Sequence, residues 1–125
     1  MALLYLLMAL YVIATNLSAV PSVIALIFDK AFVVDENITA GNDISAAKPY
    51  TDVATAAIGY LDTAIALCGT TFTVPASWLG TAADLTNNDL KKICNTYAAR
   101  ILSYTPRNKT MLAAVNWGKV QAYAD

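Results

Sequence analysis

Histidine is missing altogether, cysteine occurs only twice, and charged residues make up 14% of the 125-residue chain. The lack of histidine excludes Ser-His-Asp and Cys-His catalysis, His-ligated zinc and an imidazole switch near neutral pH. Cys68 and Cys94 are too far apart for any C-x-x-C metal or redox motif. A formal net charge of −1 gives the chain as a whole no electrostatic reason to bind nucleic acid or an anionic membrane. Disorder is excluded as well: 58% of the residues are hydrophobic, and disorder needs few apolar residues and high net charge. The length accommodates a single domain.

What is present is distributed unevenly. Asp29 is the first charged side chain, so Met1 to Phe28 carries none. A transmembrane helix needs about 20 apolar residues, and Ala2 to Val20 nearly supplies them. Asn16, Ser18 and Pro21 interrupt its far end, and no Lys or Arg flanks it as a secretory n-region would. A helix pair or bent helix buried by the rest of the chain is the expectation for Met1 to Phe28, with Ile27 in the core. The alternatives are a membrane anchor over residues 2–20, a signal-like segment, or a sequence artefact.

The expected organisation is one helical unit over residues 1–125: apolar helices over 1–35, a loop over 36–48, and antiparallel helix pairs over 49–125. Val23, Ile24, Ile27, Phe28 and Ala31 recur at helical spacing, predicting a helix that ends near Asp35. Asn37, Gly41, Asn42, Asp43, Ser45 and Pro49 supply turn chemistry for the loop. A helix starting near Pro49 is predicted from Val53, Ala57, Leu61, Ile65 and Cys68, with Gly69 as a left-handed C′ residue. A long irregular loop follows over residues 70–85, with Phe72, Val74, Trp78 and Leu79 as apolar anchors. Thr86 is a predicted N-cap, Asp89 its capping-box partner, and Leu85 with Leu90 a hydrophobic staple. On this reading Asp would serve at position 86 as well as Thr. Leu90, Ile93, Cys94, Tyr97, Ile101 and Leu102 continue one face until Pro106 stops the helix. Asn116 caps a last helix bearing Trp117, Val120, Tyr123 and Ala124. The fold class is all-α.

Candidates for chemistry are few. Asp29, Asp35 and Glu36 form the tightest carboxylate group, but the adjacent pair diverges on a helix and reads as a solvated loop. Asn37, Asn42 and Asp43 are too loose a set for calcium. Both cysteines fall on apolar faces and read as packed thiols, with a disulfide between paired helices as the alternative. Arg100, Arg107 and Lys109 lack the aromatic pattern of a nucleic-acid surface. The sequons at Asn16, Asn37 and Asn108 are short enough to arise by chance. Trp78 is the one candidate ligand contact, although Trp78 and Phe72 read more economically as plugs between helices. No catalytic residue, metal ligand or cofactor is assigned, and the chain is expected not to be an enzyme.

The wording of several segments carries a resemblance. PYTDVATAAIGYLDTAIAL from Pro49, FTVPASWLG from Phe72, LTNNDLKKICNTYAARILSYTPRN from Leu85 and AAVNWGKVQAYAD from Ala113 together resemble the SusD/RagB family. IALIFDKAFVVDE from Ile24 looks like that family's preceding helix. The resemblance implies TPR-like helix pairs in an outer-membrane, surface-facing lipoprotein that holds a glycan or peptide over a SusC-like TonB-dependent transporter. The consensus TPR residues and the lipid-bearing Cys are not found, and the family's chains are several times longer. It therefore implies an internal or truncated fragment acting as a non-catalytic scaffold. The alternative function is a small helical membrane protein anchored by residues 2–20.

Overall fold

The computed structural model describes residues 30–31 and 48–125. In chain order these form β1 (Lys30–Ala31), β2 (Lys48–Pro49), α1 (Tyr50–Leu67), β3 (Thr73–Val74), α2 (Ala76–Leu79), β4 (Leu85–Thr86), α3 (Asn87–Tyr104), α4 (Lys109–Ala113) and α5 (Trp117–Ala124). The fold is all-α, with two antiparallel strand pairs of two residues each. The expected apolar helices and the core role of Ile27 lie outside the described residues. At Lys30 and Ala31 the predicted helix is replaced by β1, where Lys30 pairs with Pro49 and Ala31 with Lys48. A helical spacing of apolar residues cannot register such a long-range strand partner.

α3 is the middle helix, packed against both α1 and α5. Its first residue, Asn87, donates from Nδ2 to the Cys68 carbonyl at the end of α1, 3.0 Å away. At the other end, the Tyr50 hydroxyl at the start of α1 reaches Met111 Sδ at 3.1 Å, beyond the end of α3. These ties run α1 and α3 antiparallel. The end of α5 returns to the first turn of α3, where Asp125 and Asn88 line one cleft, so α5 runs antiparallel to α3 as well.

The core forms along these seams. Ile58, Leu61 and Ala64 of α1 and its C-cap residue Cys68 recur every three or four residues and share one cluster with Leu90, Cys94 and Ala98 of α3, joined by Val74 of β3 and Tyr123 of α5. The buried stripe includes Ile58 and Ala64 where Val53 and Ala57 were expected; those two are half-buried. Small side chains dominate the middle, since Ala64, Cys94 and Ala98 are at most 2% exposed. They let the two helix backbones approach closely, because interaxial distance follows side-chain size at the contact. Burying Leu61 and Leu90 then contributes roughly 1.5–3 kcal/mol each.

Helix ends follow local chemistry. The Thr86 side chain accepts from the Asp89 N–H, while the Asp89 carboxylate accepts from the Thr86 N–H, completing the capping box of α3. Leu90 is buried and Leu85 packs on the same core. α3 ends at Tyr104, two residues before Pro106. Asn116 caps α5 by accepting from the Lys119 N–H. α4 is an additional helix, capped by Asn108 accepting from the Met111 N–H. The exit of α1 differs from expectation. Gly69 is not left-handed; among the described residues Gly80 alone has positive φ, 66°. α1 instead tightens through three-residue bonds, Gly69 N–H to Ala66 O and Thr70 N–H to Leu67 O, which satisfy its last carbonyls without a left-handed residue. Gly80 closes α2, inside the irregular connection from 68 to 86.

Candidate functional site

The densest polar cluster lies where α5 meets α1. On α5, Lys119 and Tyr123 are four residues apart and share a face. Both turn to Asp62 on α1. The Tyr123 hydroxyl donates to Asp62 Oδ1, and Lys119 Nζ donates to Oδ2 at 3.2 Å. The Lys119 ammonium also lies 5.4 Å from the centre of the Tyr123 ring. Together they border an open cleft of about 670 Å³, into which Lys91, Lys92 and Asn95 project from α3.

The electrostatics favour the protonated forms of Lys119 and Tyr123. Burial, followed by the hydrogen bond to Asp62, raises the Tyr123 hydroxyl above its usual value. The hydrogen bonds to Tyr123 and then Asp62 raise Lys119. Both groups therefore hold their protons, and neither is an activated nucleophile or base. Lys119 and Asp62 are about half-exposed, so their ion pair contributes little, and the phenol–carboxylate bond does more to fix α5. The arrangement is a clamp. Among the described residues, no group of three or more His, Cys, Asp or Glu is placed to hold a metal.

The cysteines come together on the α1–α3 seam. Both are free and buried. Burial pushes the Cys94 thiol up to about 12, with the neighbouring Cys68 adding to the effect; burial raises Cys68 too. Thiols held protonated are poor nucleophiles, and the packed-thiol reading stands rather than the disulfide.

The aromatics part company. Phe72 packs against the core, as a plug should. Trp78 does not: it sits on α2 with 54% of its surface exposed, while the adjacent Leu79 is the residue of that short helix that packs against the core. At the opposite end of the bundle Tyr104, Leu112 and Trp117 are also exposed. Two arginines lie against aromatic rings there. The Arg107 guanidinium lies 3.7 Å from the centre of the Tyr50 ring, and Arg100 lies 5.8 Å from that of Tyr104.

Sequence reasoning missed the Asp62–Lys119–Tyr123 cluster. The spacing of Lys119 and Tyr123 marks a shared face, but nothing local identifies a partner so distant in the chain.

Comparison with known proteins places the similarity at the other end of the chain. Residues 1–48 match the family model described as the sodium:alanine symporter family. No curated protein matches, and no solved structure matches. The SusD/RagB resemblance is corrected by this result, since the family matched is a symporter family and not that of outer-membrane lipoproteins. With it go the glycan-uptake reading and the placement on the outer-membrane surface. The resemblance rested on the wording of amphipathic helices from Ile24 onwards, whereas the match covers residues 1–48 and so the uncharged stretch. The SusC-like transporter partner had been implied by the resemblance and by no residue of its own. Among the described residues, no helix is long and apolar enough to cross a membrane.

Proposed function

We propose that this chain is a membrane-anchored helical module in which residues 2–20 enter the bilayer and residues 48–125 form a non-catalytic scaffold beside it. The carrying observation is the similarity of residues 1–48 to the sodium:alanine symporter family. A symporter moves its solutes across a membrane, and the matched stretch opens with 28 residues that bear no charge. A run of that length and polarity is suited to a hydrocarbon environment. The scaffold reading draws on the clamp at Asp62, which ties α5 to α1.

Alkaline carbonate extraction of membranes from cells expressing the full chain tests the anchor. The protein should stay in the pellet. Leu7→Arg with Leu10→Arg should release it, because each charge at the centre of a span costs about 2.5–3.5 kcal/mol. Release of the unaltered chain by carbonate would defeat the proposal, and so would retention of the double variant.

A further inference from the structure

The described part of the bundle has two dissimilar ends. The end made by the connection from 68 to 86 carries Trp78, Asp84 and Asp89. The opposite end gathers the start of α1, the end of α3, α4 and the start of α5. There Tyr104, Leu112 and Trp117 are 60%, 47% and 51% exposed, and Lys48, Arg100, Arg107 and Lys109, on or beside the same elements, are exposed too. Among the described residues, Asp52 is the acid of this end, in the first turn of α1. The near-neutral total charge of the chain thus conceals a basic, aromatic face.

The same end carries β1, the strand that follows the charge-free run in sequence. β1 pairs with β2 directly before α1 and contacts α1. Lys30 is only two residues beyond Phe28, the last residue of the charge-free run. Two residues span at most about 7 Å, so the run ends within that distance of Lys30, whose strand contacts the helix that begins at Tyr50.

We propose that this basic–aromatic end rests on the headgroup layer of the bilayer that holds residues 2–20, with its lysines and arginines on anionic lipid phosphates. The inference builds on the membrane-anchor reading above. Trp and Tyr favour the interfacial layer because an apolar ring and a polar tip are both accommodated there. Juxtamembrane Lys and Arg are drawn to the negative surface over distances within a Debye length. Leu112 supplies an apolar side chain that water solvates poorly. The acidic residues Asp35, Glu36 and Asp43, between β1 and β2, are the rival occupant of the basic face.

The chain has two tryptophans, one at each end of the bundle, so each can report its own end. The full chain is reconstituted into phosphatidylglycerol-containing vesicles carrying brominated lipid, as Trp78→Phe and, separately, as Trp117→Phe. Trp117 fluorescence in the first variant should be quenched strongly, and Trp78 in the second should stay close to its value in unbrominated vesicles. Adding Arg100→Gln and Lys109→Gln to the first variant should lower the quenching by at least about twofold, since each basic residue near an anionic surface is worth ~1 kcal/mol. Phosphatidylcholine vesicles should lower it likewise. Equal quenching of the two tryptophans, or none of Trp117 in chains that float with the vesicles, would overturn this orientation while leaving the anchor intact. Trp117 that stays unquenched until Asp35, Glu36 and Asp43 are changed to Asn or Gln would assign the face to the acidic segment and also overturn it. Failure of the chain to float would remove the anchor, and this inference with it.

Discussion

The Tyr123 hydroxyl donates to the Asp62 carboxylate, joining α5 to α1 across 61 positions of sequence. Tyr123 is the only core side chain that α5 contributes, and its polar tip is met by an acceptor while its ring is buried. The bond accordingly ties α5 to α1, while its packing is on α3.

Tyr123→Phe keeps the ring and removes the donor. A hydrogen bond to a charged group contributes about 1.5–3 kcal/mol when well buried; with Asp62 half-exposed, a loss of about 1 kcal/mol is expected in chemical denaturation. Lys119→Ala should lose less than that. A cycle of Tyr123→Phe with Asp62→Asn should give a coupling of at least about 0.5 kcal/mol, and strict additivity would show that the pair does not interact. The Tyr123 pKa is raised in the folded protein. Its stabilisation is therefore fully present below the unfolded tyrosine value of about 10 and is lost as pH rises through the higher folded value. Tyr123→Phe should flatten that alkaline loss.

At the start of α3, Thr86→Ala should lose about 0.5–2 kcal/mol, and Thr86→Ser should lose little. Asp at position 86 is no longer expected to substitute. Thr86 Oγ1 lies 2.7 Å from Asp89 Oδ2 and donates to it, so a second carboxylate would replace a donor with a like charge. Thermal midpoints ordered Ser above Ala, with Asp below Ser, are the expected outcome. The Thr86 hydrogen bonds, side chain first, hold the Asp89 carboxyl below its usual range. The contribution is present above the unfolded carboxyl value and is lost as pH falls through the lower folded one. Asp89→Asn should remove that acid-side dependence.

The α1–α3 seam should tolerate no added volume. Ala98 is wholly buried, and Ala98→Leu should destabilise by about 1–3 kcal/mol through overpacking. A thiol titration of the native protein at pH 8 should find Cys94 unreactive, as a group pushed to about 12 requires, with both cysteines reacting after unfolding. Rapid native labelling of Cys94 would show that the seam is open.

Phe72 and Trp78 provide a contrast within one connection. Phe72→Ala removes a ring packed on the core and should lower stability by about 2 kcal/mol or more. Trp78→Ala should change it by no more than about 0.5 kcal/mol. Similar losses at the two positions would restore Trp78 as a plug.

Features decided by neighbouring residues were legible from sequence. The Thr86–Asp89 box, the Asn116 cap and the stop before Pro106 each span a few positions, and each stands in the structure. The buried faces through Leu61, Cys68, Leu90 and Cys94 were legible because helical period and burial agree there. α4 was not, since its five residues are too few to display a period, although Asn108 is a favoured N-cap residue. β1 was hidden because strand pairing with Lys48–Pro49 depends on residues far along the chain. The clamp at Asp62 was hidden for the same reason. The exposure of Trp78 was hidden because the four residues of α2 are too few to show which of Trp78 and Leu79 turns to the core.

Asn87 is bonded on both sides of the irregular connection, from its N–H to the Phe72 carbonyl and from its side chain to that of Cys68. Below the tip, Asp84 accepts from the Ala76 N–H at 2.8 Å. The excursion is thus stitched shut at its base, and Ala82 and Ala83 at the tip are exposed. Lengthening a closed loop is inexpensive, about 0.6 kcal/mol for each doubling. The tip is consequently the natural point for grafting a tag or a second domain, at the end of the bundle away from the β1–β2 pair.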